Sequence, residues 1–195
     1  MLPPCVPQSA MSPSEPSSLL KVIEETQMPP AMDRAIRQLL CECFPADVQS
    51  YARRRVWHDS PPAYTVIARP AGPVVGHLGI VVRTVACADS RATVAGVQSF
   101  CVAPRYRGSG LSGRLMARAL DEALRRGVCF GLLFCLPELE RFYAAHGWFK
   151  TDRPVTMLDE HGGLVPMPGK NICMLIELGE EGFPPGPLDL LGRDW

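Results

Sequence analysis

Residues 99–111 read Ser99-Phe100-Cys101-Val102-Ala103-Pro104-Arg105-Tyr106-Arg107-Gly108-Ser109-Gly110-Leu111. An apolar strand runs to Val102, a loop carrying two glycines follows, and a helix begins at about Gly110. Glycine lets the backbone come close to a ligand. The first N–H groups of a helix have no acceptor inside it, and together with the helix dipole they favour phosphate oxygens. Arg105 and Arg107 add charge-assisted contacts. An ordinary strand-to-helix turn is the plainer alternative. A dinucleotide loop is the sharper one, since Gly108-x-Gly110-x-x-Gly113 fits its string. That loop belongs early in a βαβ fold with an acidic residue ending the next strand, and 128–136 ends without one. The Gly-Lys-Ser/Thr of a Walker loop is absent.

The flanks agree with a strand–helix–strand crossover. Leu111 to Arg126 reads as a helix, with Leu111, Leu115, Ala119 and Ala123 in one apolar row and Met116, Leu120 and Leu124 beside it. Gly127 stops it, and Val128 to Leu136 is a nearly unbroken apolar strand, as for one buried on both faces. Pro137 opens a short helix to His146, capped by Gly147, and Asn171 to Leu178 is a last strand. Upstream, strands at 64–68, 74–85 and 93–102 make an antiparallel meander. Leu19 to Glu24 is an edge strand, Ala31 to Phe44 a helix, and Val48 to Arg55 a second, short helix. Residues 183–195 read as an irregular tail. Residues 1–17, rich in proline and serine, are expected to be disordered or loosely packed, with a single domain over 18–195.

Lys+Arg and Asp+Glu both number 20, so the chain lacks the cation surplus of a nucleic-acid binder. No apolar run is long enough to span a membrane, and the Pro/Ser-rich start has no signal-peptide pattern, so a cytoplasmic location is expected. The eight cysteines sit mostly among apolar neighbours, as buried free thiols do, and Cys41-Glu42-Cys43 has the wrong spacing for zinc. No metal is expected, and the four histidines form no ligand cluster.

Arg105-x-x-Gly108-x-Gly110, following Val102-Ala103-Pro104, resembles motif A of the GNAT superfamily, and Phe142-Tyr143-Ala144-Ala145-His146-Gly147-Trp148 resembles its later helix ending in Gly-Trp. Within that superfamily the chain, from about Ala31 to Trp195, resembles aminoglycoside 2'-N-acetyltransferases and, more distantly, nodulation N-acyltransferases. The resemblance implies an α+β (α/β) fold: a mixed, mostly antiparallel central sheet flanked by helices, whose splayed parallel strand pair ends near Val102 and Cys135 and holds acetyl-CoA. It places the cofactor against Cys101 and Val102 and against Arg107, Gly108, Ser109, Gly110, Leu111, Ser112 and Gly113. It implies direct attack by a primary amine, with Tyr143 as the acid that protonates the departing thiolate. The plainer alternative for Tyr143 is a half-buried core tyrosine.

The sequence departs from that family on the acceptor side. The strand glutamate that helps take up the amine's proton is replaced by Gln98, beside Ser99, and glutamine can only orient a water. Asp47, Asp194 and the terminal carboxylate of Trp195 are the candidate bases. Asp47, Gln98, Ser99, Phe134, Cys135, Asp194 and Trp195 are the candidate acceptor contacts. A family aspartate is missing near Pro166 to Lys170, where a lysine repels a polycation. These changes point to a small or less cationic amino sugar, kasugamycin-like, as the partner. Alternatives are another amine (polyamine, peptide or chitooligosaccharide) or a non-catalytic acyl-CoA-binding module. A homodimer is open. Bulky Phe100, Phe130 and Phe134 favour acetyl over longer chains, and Cys135 offers a less favoured acyl-cysteine route.

Overall fold

The computed structural model describes residues 19–69 and 72–195. The expectation for residues 1–17 lies outside them. Strands β1 (Leu20–Glu24), β2 (Tyr64–Ala68), β3 (Gly76–Cys87) and β4 (Ser90–Val102) pair antiparallel in sequence order. Helices α1 (Pro30–Cys43) and α2 (Val48–Tyr51) lie between β1 and β2. After β4 come α3 (Leu111–Arg125), β5 (Phe130–Cys135), α4 (Glu140–Ala144), β6 (Phe149–Thr151), the hairpin β7 (Val155–Leu158) with β8 (Leu164–Pro166), then β9 (Ile172–Glu177) and β10 (Leu188–Asp189). All ten strands join one mixed sheet.

Two irregularities shape the centre of that sheet. β4 and β5 pair in parallel only from Val94–Phe130 to Gly96–Leu132, and beyond that point share no pairs, so they part. β4 also carries one extra residue opposite β3, between Gln98 and Cys101. Ser99 absorbs it with a φ of 49°, an uncommon left-handed conformation for a residue with a Cβ.

α3 lies on one face of the sheet. Its buried Leu111, Leu115, Met116, Ala119 and Ala123 join Val66, Leu78, Ile80, Ala95 and Val97 in one apolar cluster. The Tyr64 hydroxyl donates to Ala119 O at 2.8 Å, pinning the helix to β2. Truncating fully buried Leu115 to alanine would cost about 2–5 kcal/mol. A second cluster, with Val81, Val85, Leu132, Leu175 and Trp195, holds the far half of β3 and the tail.

The expected second helix is shorter than its sequence suggests, stopping at Tyr51 instead of running to Arg55. Arg55, 4% exposed, turns inward to Asp33 (3.0 Å) and to Glu25, and that buried ion pairing draws the chain off the helical path. The tail is likewise more regular than expected. β10 pairs antiparallel with β3 and parallel with β7. The Leu190 N–H donates to Thr156 O at 2.9 Å, and Gly192 O accepts from Leu158 at 2.8 Å.

Candidate active site

Between β4 and α3 the chain spends some backbone amides and leaves others free. Ala103 N–H donates to Val75 O, Tyr106 N–H to Ala103 O, and Arg107 N–H to Pro104 O at 3.2 Å. Among the described residues, no acceptor meets the N–H groups from Gly108 to Gly113. Gly108 and Gly110 hold φ near +75°, which residues with a Cβ rarely adopt, and nothing lies within 4 Å of where their Cβ atoms would be. The loop is thus a concave run of unsatisfied donors leading into the N-terminus of α3, suited to an anion. Arg107 departs from the expectation: its amide is consumed by the turn, and it contributes its side chain, whose Nε donates to Val102 O at 3.3 Å.

The gap between the splayed strands opens beside this loop. Because Ala103 bonds to Val75, the antiparallel ladder alternates so that Val102 N–H faces away from β3 and into the gap. A cavity of about 410 Å³ lies there, with Phe100, Cys101, Val102, Arg107, Tyr143 and Cys43 among its lining residues. Tyr143 is buried, packed against Phe142, Phe100 and Trp148, and burial raises its phenol pKa well above the ordinary value. It therefore keeps its proton. Among the described residues, none hydrogen-bonds its hydroxyl. Of the three phenylalanines expected near the acyl group, only Phe100 lines this cavity. Phe130 packs edge-on against Phe183 at 5.1 Å and Phe134 against Trp195 at 5.6 Å. Cys135 is buried and contacts Met174 Sδ at 3.8 Å; burial pushes its thiol up to about 11, which keeps it protonated and disfavours the acyl-cysteine route.

On the opposite side, segment 57–60, the tail and β4 converge. Gln98, 4% exposed, accepts from Trp57 N–H at 3.2 Å and donates to Ser60 O at 2.8 Å. With both amide ends engaged it anchors the 57–60 segment, a different part from orienting a substrate water. Ser99 pairs with Tyr51 through their hydroxyls at 3.2 Å. Asp194, 8% exposed, holds His58 Nδ1, and its carbonyl accepts from Ser60 Oγ at 2.8 Å. Trp195, 5% exposed, lies flat over Gly96, where an added Cβ would sit 2.3 Å from its ring. Arg83 stacks on Trp195 at 5.2 Å and bonds Ser60 Oγ and Arg193 O. From the cavity wall, Phe44, Tyr51, Trp57 and His58 form an aromatic row with successive centroids 5.5, 5.7 and 4.8 Å apart. Asp47 is half-buried near Tyr51.

Sequence reasoning passed over His58, Ser60 and Arg83. His58 and Asp194 are 136 positions apart, and no local pattern links them. His77, read as core packing, is indeed buried: its Nδ1 pairs with Ser99 O at 2.8 Å, Nε2 finds no partner, and burial pushes its pKa down to about 4.

Residues 30–150 match a family model described as an acetyltransferase (GNAT) domain. No curated protein matches the chain. The GNAT family N-acetyltransferase YhbS of Escherichia coli, solved in complex with CoA, superposes with a TM-score of 0.64 at 18% identity, over 92% of this chain and 94% of that one. The E. coli ribosomal-protein-S18-alanine N-acetyltransferase gives 0.55 at 15%, over 84% and 97%. A Brucella melitensis GNAT acetyltransferase in complex with acetyl-CoA gives 0.52 at 18%, over 87% and 94%. At such identities the likeness is one of fold.

Proposed function

The chain belongs to the GNAT acetyltransferase family, and from that premise we propose that it transfers acetyl from acetyl-CoA to the primary amine of a small amino sugar. One observation carries the donor half: the unpaired amides from Gly108 to Gly113, arranged around two left-handed glycines, fit a diphosphate. The residues present therefore suit coenzyme A, with Val102 N–H turned into the gap for the acyl end. When bound, acetyl-CoA supplies a thioester carbonyl open to attack by an amine. We take residues 18–195 as one catalytic unit and the cytoplasm as its compartment. Among the described residues no helix is long and apolar enough to cross a membrane.

The chain's own groups divide the proton work. Tyr143 OH, held protonated by burial, gives its proton to the departing sulfur. A carboxylate only accepts, so Asp194 fixes the proton of neutral His58 on Nδ1 and leaves the Nε2 lone pair free. His58 Nε2 takes the proton of the acceptor ammonium, and Asp194 acts through it. This supplies the base that Gln98 cannot be. The row Phe44–Tyr51–Trp57 offers flat faces to a sugar ring, Asp47 and Asp194 offer negative charge to its amine, and Trp195 closes the wall over β4. Lys170, exposed in the turn before β9, disfavours a polycation and favours an amino sugar bearing a carboxylate, of the kasugamycin kind.

Thiol release from acetyl-CoA, measured with kasugamycin, gentamicin-type compounds, polyamines, chitooligosaccharides and peptides, tests this. Turnover with the carboxylate-bearing amino sugar is expected. Turnover with only peptides or polyamines removes the amino-sugar reading, and donor binding without any turnover leaves an acyl-CoA-binding module.

A further inference from the structure

Two thiols in the cavity have no part in that chemistry. Cys43, the last residue of α1, and Cys101, next to last in β4, both line it. Cys43 Sγ lies 3.6 Å from the carbonyl of Val102, the residue that follows Cys101, so the end of α1 brings its thiol against the end of β4 beside Cys101. Both are free, and they are 58 positions apart by residue number (101 minus 43). Their environments differ. Cys101 is buried, whereas Cys43 is half-buried and reachable from the cavity.

We propose that Cys43 and Cys101 are an oxidative modification site: a peroxide converts them to a disulfide that ties the end of α1 to the end of β4 and lowers affinity for the donor. The clause about affinity rests on the donor site proposed above; the disulfide does not. The Cys43 thiolate attacks a peroxide oxygen, an S–O bond forms, the O–O bond breaks, and hydroxide leaves to be protonated. The Cys101 sulfur then attacks Cys43 Sγ, the S–O bond breaks, and water departs with the Cys101 proton. Two thiols lose two electrons and two protons, and hydrogen peroxide becomes two waters. The pair is graded for this order of events first by access, since Cys43 is half-buried at the cavity and Cys101 is buried, and the closeness of Cys101 and of the Arg107 charge lowers the Cys43 pKa while that of Cys101 is raised. Cys43 is thus the attacking sulfur and Cys101 the resolving one.

The test uses the full chain, freed of reductant and treated with hydrogen peroxide, then digested without reduction for peptide mass mapping. The expected product is a Cys43–Cys101 cross-link. Calorimetry with acetyl-CoA, which has no free thiol to interfere, should show about tenfold weaker binding, restored by dithiothreitol. In Cys101→Ser, dimedone should trap a sulfenic acid at Cys43. A cross-link or dimedone adduct at Cys41 or Cys129 instead, no cross-link at all, or a cross-link that leaves donor affinity unchanged overturns the proposal. If the reduced protein fails to bind acetyl-CoA, the donor-site reading falls on its own, and the peptide map still decides the disulfide.

Discussion

On the donor side, nearly every proposed contributor lies between Cys101 and Gly113, and most contribute a backbone N–H. On the acceptor side, His58 meets Asp194, Arg83 meets Arg193, and Gly96 meets Trp195, all through side chains from distant segments. A site made of main chain follows from turn geometry, so glycines and a helix start announce it. A site made of side chains depends on the whole sheet bringing its pieces together, and it can change its substrate without disturbing the first. The two regions should accordingly fail separately.

The largest expected effect tests the proton groups. Tyr143→Phe and His58→Gln should each lower kcat by about 100-fold. Donor affinity, read by calorimetry, should stay the same; a parallel loss of donor binding would erase the division between the regions. Next is Gly110→Val, which forces a β-branched residue into a left-handed conformation and re-aims the loop amides. It should weaken acetyl-CoA by roughly tenfold or more, with acceptor KM unchanged. Gly96→Ala is its counterpart: the new methyl collides with the Trp195 ring and lifts the tail's end. Acceptor KM should rise by roughly fivefold while donor affinity holds, and the reverse result would place Trp195 on the donor side.

The last test concerns stability and touches neither site directly. His77 has a folded pKa of about 4 against an ordinary value of 6.5, so between those values the unfolded chain binds more protons. Stability then rises with pH across that window and is lost as pH falls through it, by about 3 kcal/mol at most. Urea midpoints at pH 7 and pH 4.5 should differ less in His77→Gln than in the parent.

How much of this the sequence disclosed follows the same division. β1 to α3 were legible because apolar periodicity, Pro104 and the glycines mark them locally. α2 was drawn too long because the pull on Arg55 comes from Glu25 and Asp33, far up the chain. β6, β7, β8 and β10 were missed: each has only two to four residues, too few to show a period. Gln98 was visible as a departure from the family, but its bonds to Trp57 and Ser60 were not. Asp194 was nominated from the tail alone, without the histidine through which it would act.

β10 has a consequence outside catalysis. Two residues long, it pairs with β3 on one side and β7 on the other. Cutting the chain before Leu188 would uncover two strand edges at once, each with unmet N–H and C=O groups that invite another molecule to add on. A chain so clipped should clump even where its donor loop is intact, so this short segment guards solubility as well as shaping a wall.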